Sequence, residues 1–243
     1  GQAYYLTLDR TNWRWGQVDL NILFLAVVYQ GTAIPVYWLV LNKRGNSNQR
    51  ERIALLKRFI KQFGRGGILG VLGDREFIGE AWWRWLSAQR IPYLIRIRET
   101  QQLHDTCGRC CTMRSRFRDL KVGSRRCFRK ARRVSGQRVW LSALRLESGE
   151  LLILAANRPV SKPLQTYALR WQIESLFQAL KGRGFDLEQT RLTQYARIKK
   201  VIALLAVGFC WAHKVGQWKH HVVKPLRVKS HERLEQSLFR YGL

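Results

Sequence analysis

Five residues constrain this chain more than any others. Ile68-Leu69-Gly70-Val71-Leu72 is a wholly apolar run set between two segments of helical periodicity. A strand that shows no polar face is covered on both sides, so a layered α/β arrangement with helices packed on a sheet is expected. The run stops at Gly73-Asp74, which leaves an aspartate at the end of a buried strand.

The neighbouring pattern supports that layering. Three apolar runs open the chain, Tyr4 to Leu8, Val18 to Tyr29 and Ala33 to Leu41, and Gln30-Gly31-Thr32 between the last two favours an antiparallel hairpin. Asn48 followed three residues later by Glu51 marks a helix start. Ile53, Leu55, Leu56, Phe59 and Ile60 give that helix an apolar face as far as Phe63, and Gly64 and Gly66-Gly67 end it. After Asp74, a helix from Ile78 to Gln89 carries Trp82, Trp83, Trp85 and Leu86, of which at least two are expected in the core, and Pro92 to Arg98 supplies another strand. The order is three strands, helix, strand, helix, strand.

From Glu99 to Asn157 the character changes. Helical periodicity disappears, and alternating stretches at Gln137 to Leu146 and Leu151 to Ala155 flank the turn Glu147-Ser148-Gly149-Glu150. The segment 99–157 therefore reads as a mainly β insertion dividing a core into 1–98 and 158–243. Pro163 opens a further helix running to Gly182 or Gly184. Another, amphipathic to buried, covers Tyr195 to Lys214, and its apolar run Val201 to Ala212 reads as a core helix.

Charge narrows the partner. Lys and Arg number 44 against 16 Asp and Glu, a formal net charge of +28 spread along the whole chain, which points to a polyanion. Small basic packing proteins are poor in aromatic residues, whereas this chain has 10 Trp, 8 Tyr and 10 Phe, enough for a sizeable core. The five cysteines are Cys107, Cys110, Cys111, Cys127 and Cys210. Their odd number and bunching argue for reduced thiols in a cytosolic compartment. Cys107-x-x-Cys110 with Cys127 raises a zinc site, although a fourth ligand at familiar spacing is missing unless Cys111 or His104 is recruited. No apolar run approaches the roughly 18 residues of a membrane span.

The chemistry-bearing residues are few. Asp9 follows the first apolar run, Asp74 follows the buried strand, and Glu174 lies on the helix after Pro163. Two strand-end aspartates and a helical glutamate form the all-oxygen donor set that suits Mg²⁺; taken singly, either aspartate also reads as a turn or cap residue. At about 100° per residue, Tyr167, Arg170, Glu174 and Lys181 share a stripe roughly 60° wide. Beside it run Leu169, Ile173, Leu176 and Leu180, which would press the helix onto the core. Glu76 and Asp105 read as ion-paired or solvated surface acids. His104, His213, His220, His221 and His231 form no triad or metal pattern, and no Gly-rich loop precedes a helix to hold a nucleotide.

Tyr167-x-x-Arg170-x-x-x-Glu174-x-x-x-x-x-x-Lys181 resembles the Y-R-E-K signature of the insertion-sequence-four family of DDE transposases. Leu72-Gly73-Asp74-Arg75-Glu76-Phe77 and Leu6-Thr7-Leu8-Asp9-Arg10-Thr11-Asn12-Trp13 look like the segments around that family's two catalytic aspartates. The resemblance covers essentially the whole chain. It implies an RNase H-like fold, a mixed five-stranded sheet flanked by helices, with a mainly β insertion between the second Asp and the Glu. It further implies that Asp9, Asp74 and Glu174 are catalytic and bind two Mg²⁺ or Mn²⁺ ions, and that Tyr167, Arg170 and Lys181 contact DNA phosphates. Trp140 in the insertion would be either an aromatic that stacks a displaced base or a core residue.

The activity so implied is metal-dependent cleavage at transposon ends and strand transfer to target DNA, with a hairpin step on the element end left open. Its partners would be double-stranded DNA and a second subunit in a synaptic complex, in a bacterial, nucleoid-associated cytoplasmic setting with no membrane. Stand-alone nucleases of the same fold and non-catalytic DNA-binding derivatives are the alternatives. Family members carry a DNA-binding region ahead of the first catalytic strand, whereas Asp9 lies nine residues in. The expectation is therefore a catalytic fragment or a reduced protein.

Overall fold

The computed structural model describes residues 3–104, 110–182, 184–230 and 234–243. Strands β1 (Tyr4–Trp15), β2 (Val18–Tyr29) and β3 (Thr32–Leu41) form an antiparallel meander. The β2–β3 loop is only two residues long. Gln30 (φ 41°) and Gly31 (φ 81°) both take the positive φ that a type I′ turn requires, and Tyr29 pairs directly with Thr32.

Helix α1 (Gln49–Phe63) begins as the sequence predicts. The Asn48 side chain accepts from the Glu51 N–H at 3.0 Å, and the Glu51 carboxylate accepts from the Asn48 N–H at 2.7 Å, a reciprocal capping box. Leu55, Leu56 and Phe59 bury its inner face. Strand β4 (Ile68–Gly73) then runs parallel to β1. A 3₁₀ turn (Arg75–Phe77) and helix α2 (Glu80–Ala88) lead to β5 (Tyr93–Ile97), parallel to β4. Trp82 and Trp83 are fully buried, the Trp83 indole N–H donates to the Phe77 carbonyl at 3.1 Å, and Trp85 stacks on Trp82. The core order β3-β2-β1-β4-β5, antiparallel then parallel, is the RNase H-like sheet.

That sheet does not stop at β5. The segment after it holds three-residue strands β6 (Gln102–His104), β7 (Cys110–Thr112), β8 (Arg125–Cys127) and β9 (Arg132–Val134), the short helix α3 (Met113–Arg116), and the longer strands β10 (Gln137–Arg145) and β11 (Leu151–Ala156). Strand β11 pairs antiparallel with β5, so the order continues β5-β11-β10-β9-β6-β7, with β8 also on β10. Five core strands thus become part of an eleven-stranded sheet.

Three expectations need correction. Strand β1 runs seven residues past Leu8, because the long β2 offers an unbroken ladder from Leu6↔Val27 to Trp15↔Val18; Asp9 is therefore inside a strand, paired with Phe24, and not at its end. The helix from Pro163 is not one smooth rod: α4 (Pro163–Ala168) passes through a 3₁₀ turn (Leu169–Trp171) into α5 (Gln172–Leu180), leaving Lys181 beyond its end. Helix α6 (Tyr195–Trp218) is not buried all round. Its inner face, Ile198, Ile202 and Phe209, joins Ile173, Leu176 and Leu180 over β2 and β3, but Leu204, Val207 and Trp211 are 70–73% exposed because no further layer covers them. A π-helical turn (Lys219–Val223) and α7 (Leu238–Gly242) follow. No helix among the described residues is long and apolar enough to cross a membrane.

Candidate active site

Strand register brings the two aspartates together. Parallel pairing sets Thr7 of β1 beside Leu72 of β4, so Asp9 and Asp74, each two residues further on, emerge level from neighbouring strands about 4.8 Å apart. The Asp74 carbonyl accepts from the Phe77 N–H at 2.9 Å and opens the 3₁₀ turn that carries the chain away. Tyr167 on α4 packs over Leu72, Leu94, Leu154 and Ala156 on the same sheet face, which lowers the helix onto the two carboxylates.

Arg170 sits at the centre. Its Nη1 donates to Asp9 at 2.7 Å and its Nη2 to Glu174 at 3.1 Å, and its side chain is only 6% exposed. The guanidinium lies 5.7 Å from the Tyr167 ring centre and 5.0 Å from that of Trp171. Asp9 also accepts from the Arg10 N–H at 2.7 Å. Burial pushes the Asp9 carboxyl up to about 6; Arg170 and the Arg10 N–H pull it back, and nearby Asp74 and Glu76 add to the rise. For Arg170, burial opposes the charge, but Tyr167, Asp9, Asp74 and Glu174 outweigh it and hold its pKa above the ordinary value. Burial also raises the Tyr167 phenol. Asp74 Oδ1, Arg170 Nε and the Tyr167 hydroxyl are buried here without a well-formed hydrogen bond, the hydroxyl lying close enough to Arg170 for the guanidinium to offset part of the rise in its pKa.

The four residues of the expected helical stripe therefore have different surroundings. Tyr167 and Arg170 are buried, Glu174 is partly open, and Lys181 has left the stripe, donating to the Asn12 carbonyl at 3.1 Å, pairing with Glu188 at 2.8 Å and lying over the Trp13 ring. Trp140 pairs with Ala156, on the sheet face that Tyr167 covers. It stands three strands from β4, about 14 Å at 4.8 Å per strand, and is partly exposed. Among the described residues the cysteines join no group of metal ligands: Cys110 and Cys127 are exposed free thiols, while Cys107, with Asp105 and His231, lies outside the described residues.

Sequence reasoning missed the support around these groups. Glu76 is ion-paired, one of the two roles expected of it, but is partly buried instead of lying on the surface. It accepts from Arg10 Nε at 3.0 Å and from both the N–H and hydroxyl of Ser47 at 3.0 and 2.8 Å. Arg10 also donates to Asn21 at 2.8 Å, and Arg52 donates to the Glu76 carbonyl at 2.9 Å while lying over Phe77. Arg10 and Glu76 each sit within two residues of a site aspartate, so this partly buried network ties the middle of β1 to the end of β4. Arg96 of β5, paired with Glu150 at 2.6 Å, lies near enough to influence Tyr167. Its signal was a charged residue within the otherwise apolar Tyr93–Ile97.

The donor set can be tested against a divalent ion. All its atoms are carboxylate oxygens, the donors that hard cations take, and Asp74 Oδ1 is a buried acceptor with nothing to accept from. An orphaned oxygen beside a carboxyl raised by burial is an environment that an added cation would relieve, so the residues fit. Among the described residues, however, no three acidic, His or Cys side chains are gathered as a ready metal group, because Asp9 and Glu174 are turned onto Arg170.

A β1–β4 pair delivering two partly buried aspartates beneath a glutamate-bearing helix defines an RNase H-like domain with an acidic site. Residues 9–211 match the model of the transposase DDE domain, and the chain belongs to that family. A piggyBac transposase, solved by cryo-electron microscopy as a synaptic complex with hairpin DNA, shares its fold with a TM-score of 0.56 and 13% identity. That likeness covers 100% of this chain and 51% of the piggyBac chain, so this chain spans about half its length. No curated protein matches the chain.

Proposed function

We propose that the chain is the catalytic domain of an insertion-sequence-four type transposase that hydrolyses a phosphodiester at a transposon end and joins the freed 3′-hydroxyl to target DNA. The observation that carries this reading is the level emergence of Asp9 and Asp74 beneath Glu174 in a body of charge +28. A divalent ion, Mg²⁺ or Mn²⁺, held by Asp9, Asp74 and Glu174 would supply Lewis-acid charge at a phosphoryl oxygen and make a water acidic, and a pair of ions would serve both the attacking and leaving oxygens. The chain's own contribution is placement. The Tyr167 hydroxyl, without a protein partner, is available to a phosphate oxygen; Arg170 offers the bidentate geometry that phosphate favours; Lys181 at the rim adds attraction. Trp140, partly exposed on the sheet face that Tyr167 covers, would be the aromatic to stack a base extruded from the end.

The partners in this reading are duplex DNA at element ends and targets, and a second subunit in the synaptic complex. A duplex carrying the element end, incubated with Mg²⁺ or Mn²⁺, tests it. Asp9→Asn, Asp74→Asn and Glu174→Gln should each abolish cleavage while retaining DNA binding, since loss of negative charge beside a polyanion does not weaken association. Near wild-type cleavage by any of the three removes that residue from the site. Cleavage without joining would identify a nuclease instead.

A further inference from the structure

Two of the three acidic groups proposed to hold metal are already neutralised by a cation of the protein itself. Both terminal nitrogens of Arg170 are spent on Asp9 and Glu174, and among the described residues no other cationic side chain pairs with either carboxylate. Arg96 is directed to Glu150, and Lys181 to Glu188 and the Asn12 carbonyl. Asp74 Oδ1, the acceptor Arg170 does not reach, is left buried and unpartnered. One guanidinium thus bridges two carboxylates through its terminal nitrogens, and its Nε, also buried without a partner, does not reach the third.

The segment bearing Arg170 also has somewhere to go. It lies on the 3₁₀ turn between α4 and α5, flanked by exposed Ala168 and Trp171, and mid-helix 3₁₀ stretches often mark hinges. A phosphate diester arriving over this turn offers the guanidinium one acceptor that can take both terminal nitrogens, in place of the single bonds it gives to Asp9 and Glu174. A guanidinium that turns to phosphate releases Asp9 and Glu174.

Building on the proposed function, we infer that Arg170 is an internal counter-cation that competes with the divalent metal for Asp9 and Glu174, so that DNA phosphate and metal bind cooperatively. The DNA-free protein holds its acidic site closed on Arg170, and the site becomes a strong metal site once phosphate has drawn the arginine away. Linkage makes the effect reciprocal: whatever factor DNA adds to metal affinity, metal adds to DNA affinity. Couplings of this kind are typically about 5–150-fold.

The test is Mn²⁺ binding, read by electron paramagnetic resonance on the full chain and independent of any cleavage. Wild type and Arg170→Gln are titrated with Mn²⁺ alone and with a short uncleavable duplex. The Asp74→Asn protein under the same conditions corrects for Mn²⁺ held by the duplex. Duplex should tighten Mn²⁺ binding to wild type by about tenfold or more, and Arg170→Gln without DNA should already bind more tightly than DNA-free wild type, by a similar factor. Equal Mn²⁺ affinity of DNA-free wild type and folded Arg170→Gln overturns the inference. So does a wild-type affinity that DNA leaves unchanged, which decides the matter even if the variant fails to fold. If neither wild type nor Arg170→Gln binds Mn²⁺ more than Asp74→Asn in any condition, the proposed metal site fails, and the inference with it. A working metal site without DNA coupling overturns the inference alone.

Discussion

Asp9 without a metal is a destabilising charge, and its size follows from the site. Burial carries its carboxyl from 3.8 to about 6 despite the Arg170 ion pair, and each unit is worth about 1.36 kcal/mol, so ionising Asp9 costs the folded protein about 3 kcal/mol in total. With the side chain only 19% exposed, solvent screening removes little of this. A group raised in the folded state adds stability that is whole below the unfolded pKa and is lost as pH rises through the folded one. The window here lies between 3.8 and about 6. Asn at this position mimics the protonated acid at every pH. The stability of Asp9→Asn relative to wild type should therefore rise by about 2 kcal/mol between about pH 4.5 and about pH 7.5. Urea unfolding of both proteins at the two pH values, with chelator present and no DNA, measures this as a double difference in which all other titrations cancel. A difference that stays constant with pH would refute the claim that burial outweighs Arg170 at Asp9.

Three further outcomes follow from particular contacts. Glu76→Ala strands Arg10 and Ser47 in a partly buried network and should cost about 2–3 kcal/mol in urea unfolding; a change under about 0.5 kcal/mol would mean that the network does not tie β1 to the end of β4. Tyr167→Phe removes a buried hydroxyl that has no partner, so stability should be unchanged or higher by up to about 1 kcal/mol while DNA affinity falls; a clear loss of stability would show that the hydroxyl serves the fold. Lys181→Ala should flatten the slope of log K against log salt by about one unit, and an unchanged slope would leave Lys181 as a structural partner of Asn12 and Glu188.

Much of the scaffold was legible because its signals are local. The Asn48–Glu51 capping box, the Gln30-Gly31 turn and the apolar Ile68–Leu72 each act within a few residues, and each appears where the pattern places it. The length of β1 was hidden because a polar stretch, Asp9 to Asn12, is held in a strand by its ladder to β2, which no local pattern records. The joining of β11 to β5 is likewise a long-range pairing. At the candidate site, Asp9, Arg170 and Glu174 were singled out in the sequence and are neighbours in the fold, but the way they meet was not legible. Helical periodicity places Arg170 beside Glu174, yet only the fold shows the guanidinium turned inward to Asp9, 161 positions away in the chain. Glu76 looked like any surface acid until Arg10, Ser47 and Arg52 were gathered around it by three separate elements.

The central claim is that Asp9, Asp74 and Glu174 form one metal site that cleaves DNA, with Arg170 released to phosphate. A structure of the chain bound to a duplex end and Mn²⁺, with anomalous difference density to locate the metal, tests it most directly. The account predicts Mn²⁺ between the three carboxylates and the Arg170 guanidinium on a backbone phosphate. Mn²⁺ bound elsewhere while Arg170 still bridges Asp9 and Glu174 over a bound duplex would contradict it.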